Sequence, residues 1–147
     1  MNTIPTEVLK LIYLFAPNEA KTINKTFYSF STKIQFKQGT EITKELLLQK
    51  YTTKLYKLNL NNNSKITDNE IKHLINIETL NLCYNDSITD EGIKRLTNIR
   101  KLNLRDNSKI TDEGLKHLTN IRNLDLSYNS TITDDGIKHL TNIRELD

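Results

Sequence analysis

Tryptophan is absent from the 147 residues, cysteine and methionine occur once each, proline twice and alanine twice. A lone Cys83 excludes an internal disulfide framework and accords with a reducing compartment. Long apolar runs are missing as well. The longest candidate, residues 8–16, is interrupted by Lys10, preceded by Glu7 and lacks a basic leader, so it reads as neither a signal peptide nor a membrane span. Asn24, Asn62, Asn85 and Asn129 match the N-x-Ser/Thr glycosylation pattern, which has no meaning without secretion. A large excess of one charge is also lacking: the net charge is +3. Residues 1–54 hold 8 Lys and 4 acids, whereas residues 55–147 hold 13 basic and 14 acidic side chains. A near-neutral main body argues against tracking along nucleic-acid phosphates. No nucleic acid, no membrane and a cytoplasmic or nuclear location are therefore expected. With 18 Asn, 17 Ile and 16 Lys the composition looks like AT-rich coding, and if the gene is viral the compartment is the host cell's.

What the chain does have is a period. Leu58, Leu80, Leu102, Leu124 and Leu146 stand 22 apart, and so do Leu60, Leu82, Leu104 and Leu126. Ile66, Ile88, Ile110 and Ile132 keep the same step, as do Leu74, Leu96, Leu118 and Leu140. In "NLDLSYN" the apolar residues alternate, as in a strand with one buried face. In "TDEGLKHLTNI", Leu115, Leu118 and Ile121 fall three apart, which suits a short helical segment. Thr111 takes the N-cap place, Asp112 and Glu113 the first turn, and Lys116 and His117 the end, an order that complements the helix dipole. Gly92, Gly114 and Gly136 recur inside this turn, which implies close packing or a 3₁₀-like geometry; Glu70 breaks the series in the first unit. The pattern L-x-x-L-x-L-x-x-N-x-x-I over residues 55–147 resembles the leucine-rich repeat. That resemblance implies an α/β solenoid, with a parallel concave sheet and short convex helices. Single units cannot bury their apolar face, so stacking must supply the core.

One polar residue also keeps the step. Asn63, Asn85, Asn107 and Asn129 read as a structural ladder whose amides satisfy backbone groups where the chain leaves each strand. Upstream, residues 33–54 read as a degenerate capping repeat. Ile34, Phe36, Ile42 and Leu47 match Leu58, Leu60, Ile66 and Ile71 at an offset of roughly 24. At Asp147 the chain stops inside a strand, so its last edge is expected to be exposed or covered by a partner or second copy.

The helical segments of the copies barely differ, and the strand segments differ at outward positions. Four rows change: Lys57, Thr79, Lys101, Asn123 and Glu145; Asn59, Asn81, Asn103, Asp125 and Asp147; Asn61, Cys83, Arg105 and Ser127; and Asn62, Tyr84, Asp106 and Tyr128. In a solenoid of this kind these rows would line the concave face and contact a protein ligand, with Tyr84 and Tyr128 as aromatic anchors. Drift at weakly constrained positions is the competing reading. Nothing points to catalysis. His73, His117 and His139 share one repeat position with Arg95, an exchange that marks a solvated basic stripe rather than metal ligation. No phosphate loop, zinc-protease motif or nucleophile elbow occurs, so no enzyme activity and no cofactor are expected.

Ahead of the repeats, residues 6–16 read as a helix with Pro5 at its entry and Pro17 just past its end. A second helix follows in which Ile23, Phe27 and Phe30 share a face. Ile4-Pro5, Glu7-Val8-Leu9, Ile12, Phe15 and the stretch from Ile23 through Phe27 resemble an F-box, shortened and without the family's third helix and tryptophan. The resemblance over residues 1–32 implies that Ile4, Pro5, Val8, Leu9, Ile12 and Phe27 contact a Skp-type adaptor. The chain would then be the substrate-recognition subunit of a cullin-type ubiquitin ligase. The alternative is a stand-alone interaction scaffold whose helical cap is structural.

Overall fold

The computed structural model describes residues 34–35 and 55–147. The F-box-like residues Ile4, Pro5, Val8, Leu9, Ile12 and Phe27 lie outside the described residues, as does all of the degenerate repeat except its first strand. Six strands form one sheet in sequence order: β1 (Ile34–Gln35), β2 (Leu55–Asn59), β3 (Thr79–Asn81), β4 (Lys101–Asn103), β5 (Asn123–Asp125) and β6 (Glu145–Leu146). All pairs are parallel. From β2 onward the register is the repeat itself, with Lys57 opposite Thr79, Thr79 opposite Lys101, Lys101 opposite Asn123 and Asn123 opposite Glu145. At β1 the step is irregular, with Ile34 opposite Leu55 and Gln35 opposite Lys57. The offset of 24 used in aligning the sequence is therefore not the pairing register, which runs at 21 and 22 there.

Four short helices lie between the strands: α1 (Asp68–Ile71), α2 (Asp90–Ile93), α3 (Asp112–Leu115) and α4 (Asp134–Ile137). They are shorter than the apolar spacing implied. Lys116 is the C-cap of α3 and no helix has a basic residue in its last turn, so the acids-first, bases-last order applies only to the first half. The spacing of three comes instead from successive tight turns, in which Leu118 N donates to Leu115 O and Ile121 N to Leu118 O.

The core is the set of apolar registers. Leu80, Leu82, Ile88, Ile93, Leu96 and Ile99 are all buried, and the same places are filled by Leu102, Leu104, Ile110, Leu115, Leu118 and Ile121 in the next unit. In the last unit the cover thins: Ile132, Ile137 and Ile143 are half-buried and Leu146 is 44% exposed.

Two polar ladders stitch the units. Asn85 Nδ2 donates to Leu60 O at 2.7 Å, Asn107 Nδ2 to Leu82 O at 2.9 Å and Asn129 Nδ2 to Leu104 O at 2.8 Å. Each amide therefore reaches back into the preceding unit. A second set was hidden in the invariant "LTNI" segments, where Asn98, Asn120 and Asn142 donate to Ile75 O, Thr97 O and Thr119 O.

The recurrent glycines have a steric cause. The first acid of α1, α2 and α3 accepts two bonds from the N-cap threonine of the next unit. Asp90 takes Thr111 N at 2.8 Å and Thr111 Oγ1 at 2.6 Å, and Asp68 and Asp112 treat Thr89 and Thr133 in the same way. A methyl placed on Gly92, Gly114 or Gly136 would collide with that carboxylate. The first unit solves the same problem internally. Thr67 N and Thr67 Oγ1 donate to Glu70 Oε2 at 2.8 and 2.9 Å, so Glu70 supplies the carboxylate that the later units receive from below.

Candidate functional site

The variable rows fall on two different structures. Lys57, Thr79, Lys101 and Asn123, followed by Asn59, Asn81, Asn103 and Asp125, lie on the strands and line the open face of the sheet. A shallow depression of about 280 Å³ lies there, bordered by Thr79, Asn81, Lys101, Asn103, Asn123 and Asp125. The other two rows are not on the sheet. The strands end before them, and they occupy the turns that follow, although the peptide ladder continues as Tyr84 N donates to Arg105 O and Asp106 N to Ser127 O.

The second row also has a scaffold role. Asn59, Asn81, Asn103 and Asp125 each accept, through Oδ1, the backbone N–H two residues on, from Asn61, Cys83, Arg105 and Ser127 at 2.9–3.0 Å. These side-chain turns end each strand. Asp125 is the most engaged, because it also accepts from Ser127 Oγ and from Asn103 Nδ2. The near-invariance of Asn or Asp in this row was the available signal.

Cys83 corrects the outward reading of the third row. It is only 7% exposed, whereas Asn61 is exposed and Arg105 and Ser127 are half-buried. A small side chain one ladder step from longer neighbours is covered by them, since that step is about 4.8 Å. Burial pushes the thiol pKa up; Arg105 opposes this, and Asp125 and Asp106 add to it. Cys83 is thus a packed thiol, not a contact residue or a nucleophile.

The fourth row carries the least expected geometry. Asn62, Tyr84, Asp106 and Tyr128 all have left-handed backbones, with φ of 56°, 57°, 55° and 63°. Asn and Asp enter this region readily through local hydrogen bonding, whereas a bulky side chain there costs roughly 1–2 kcal/mol. Alternate units accept that cost and display a tyrosine, with Tyr84 48% and Tyr128 77% exposed. Arg105 joins them. Its Cζ lies 4.5 Å from the centroid of the Tyr128 ring, and Tyr84 acts on it from the other side. Tyr84 is the main cause holding the Arg105 pKa above its ordinary value. Tyr84 and Tyr128, both exposed, flank the half-buried Arg105 on three consecutive turns.

On the helical side His73, Arg95, His117 and His139 are exposed. The lysines of that side are engaged close by: Lys94 with Glu91, Lys116 with Glu113, Lys138 with Asp135, and Lys72 with Asn69 Oδ1. Among the described residues no group of three or more His, Cys, Asp or Glu could hold a metal ion, and no helix is long and apolar enough to cross a membrane.

Three consecutive stretches, residues 73–97, 95–118 and 117–140, match the family described as Leucine Rich repeat. The repeat region is a leucine-rich-repeat solenoid. Among solved structures, a chain of the yeast Rad7 and Elc1 complex is similar over 79% of this chain, at 18% identity and a TM-score of 0.61. A chain of the Drosophila Toll and Spatzle complex is similar over 72%, at 18% identity and a TM-score of 0.56. This chain spans 35% of the first and 15% of the second. Identities at that level carry the fold alone. No curated protein matches the chain in sequence.

Proposed function

We propose that the chain recruits a protein ligand through the turn edge and open face of its leucine-rich repeats, and that its N-terminal segment couples this ligand to a Skp-type adaptor. In that role it is the substrate-recognition subunit of a cullin-type ubiquitin ligase, acting in the cytoplasm or nucleus. The observation that carries the recruiting half is the pair of exposed tyrosines, Tyr84 and Tyr128, set about Arg105 at a position where tyrosine is conformationally costly. Tyr and Arg are the side chains most often found to dominate interface energy. The adaptor half rests on the order of segments, with Ile4-Pro5, Glu7-Val8-Leu9, Ile12 and Phe27 placed ahead of the repeats.

The two halves are tested separately. For the adaptor, purified full-length chain is titrated with a purified Skp-type adaptor. Micromolar binding that is lost on Val8→Asp or Leu9→Asp supports the ligase role; no binding leaves a stand-alone scaffold. For the ligand, a photoreactive residue is placed at Tyr128 or at Lys116 in the full chain in cells. Crosslinking to protein from position 128 but not from 116 is expected, and equal yields from both would overturn the assignment of the face.

A further inference from the structure

The recognition cluster is unbalanced in hydrogen bonding. Its acceptors are mostly used internally. Asn81 Oδ1 holds Cys83 N, Asn103 Oδ1 holds Arg105 N, and Asp125 holds Ser127 N, Ser127 Oγ and Asn103 Nδ2. The turn N–H groups of Tyr84 and Asp106 are already spent on the neighbouring carbonyls of Arg105 and Ser127. Apart from the Asp106 carboxylate, what the surface still offers is donors and ring faces. A guanidinium has five N–H donors and each Tyr hydroxyl has one, and none of these on Arg105, Tyr84 or Tyr128 is taken up by a carbonyl or carboxylate among the described residues. One Tyr128 face lies against Arg105 and the side chain is otherwise open. Asp106, exposed between the two tyrosines in the same row, makes no side-chain bond among the described residues.

Such a surface selects a ligand rich in carbonyl acceptors and apolar rings and poor in backbone N–H donors, with a basic side chain for Asp106. A polyproline II chain has that chemistry, because it lacks internal hydrogen bonds, leaves its carbonyls free and has no N–H at proline. Its repeat also matches. Tyr84 and Tyr128 sit two ladder steps apart, and two steps of about 4.8 Å place their backbones roughly 9.6 Å apart. Three residues of polyproline II advance about 9.3 Å. We infer that the Tyr84–Arg105–Tyr128 cluster docks a proline-rich segment of the partner protein, laid across the turns. Successive prolines of one face meet the two tyrosines, Arg105 donates to the carbonyls between them, and Asp106 receives a basic side chain of the same segment. This inference rests on the recruiting half of the function proposed above and names the chemistry of its ligand.

The probe is a polyproline peptide of about ten residues carrying one lysine, titrated against the full chain by nuclear magnetic resonance. A glycine-serine peptide of equal length and charge is the control. The proline peptide is expected to shift the ring signals of Tyr84 and Tyr128, and the control is not. Tyr128→Asn, which suits the left-handed backbone, should weaken binding by about tenfold or more, whereas Tyr128→Phe should retain most of it and Lys116→Ala all of it. No binding at millimolar peptide, equal binding of the control, or indifference to Tyr128→Asn would each overturn the inference. If the peptide fails while position 128 still crosslinks protein in cells, the recruiting function stands and only the proline chemistry falls.

Discussion

Substituting Gly114 by alanine ought to stabilise a helix, by about 1 kcal/mol on intrinsic preference. Here the opposite is expected. A methyl at this position would sit inside contact distance of Asp90 Oδ1, 2.9 Å from Ile93 Cδ1 and 3.0 Å from Asp90 Cγ. Ile93 can yield at the end of its side chain. Asp90 cannot move without giving up Thr111 N at 2.8 Å or Thr111 Oγ1 at 2.6 Å. Hydrogen bonds to a charged group contribute roughly 1.5–3 kcal/mol each, and partial exposure places these at the lower end. Loss of both, offset by the helix preference, leaves Gly114→Ala about 1–2 kcal/mol less stable. For a folded unit of this size that is a drop in Tm of roughly 5–15 °C. Thermal melts of the wild type, Gly114→Ala, Asp90→Ala and the double variant decide the matter. Once Asp90 is gone the methyl has room, so Gly114→Ala should become neutral or stabilising in that background. An equal loss in both backgrounds, or a rise in Tm for the single variant, would refute the steric argument.

Glu70→Gly brings the first unit into line with the other three, yet it should lower Tm, because Thr67 N and Oγ1 lose their carboxylate; an unchanged melt would sink that account. Asn107→Ala removes a fully buried amide that bonds Leu82 O and Arg105 O, and a loss of about 1–3 kcal/mol is expected. Urea midpoints that coincide with the wild type would show the ladder to be unnecessary. The Asp112 carboxyl is held below its usual range, first by Thr133 N–H and then by the Thr133 hydroxyl. Its contribution to stability is therefore present above the unfolded aspartate value of about 3.9 and is lost as pH falls through the lower folded value. Melts in this acid range should show a decline that Asp112→Asn flattens, and a profile unaltered by that change would contradict the assignment. Tyr128→Asn should raise stability by up to about 1 kcal/mol through relief of the left-handed backbone, and a lower Tm would show that the ring contributes packing instead.

The parts of the fold that were legible are those that burial enforces. A position facing the core admits only apolar residues, so the 22-residue step of Leu58, Leu80, Leu102 and Leu124 gave strands, register and core together. The Asp–Thr stitching was not legible from one unit, since its two partners stand 21 residues apart and every unit contains both. The glycine series, and Glu70 standing where it begins, were its trace. Alternation misled at the end of each strand. It carried the outward phase on to Cys83, although the strand had ended and a turn with its own side-chain directions had taken over. The left-handed row was half visible, because Asn62 and Asp106 are the residue types that favour such a backbone. Tyr84 and Tyr128, which are not, concealed it.

That concealment bears on how a repeat protein comes to recognise something. In this chain the requirement for a left-handed residue recurs once per unit, just past the strand, whatever the unit binds. Asn and Asp meet it without strain, so the scaffold alone would favour Asn, Asp or Gly in all four places. The sheet face nearby offers an unstrained place for aromatic side chains, and the chain uses it for Lys, Thr and Asn. Tyrosine stands instead at the costly site, twice, and on both sides of the arginine that reaches each of them. Drift would favour tolerated residues at constrained positions and leave aromatics to the loose ones. The distribution runs the other way, and it is this placement that supports the recognition proposed for Tyr84 and Tyr128.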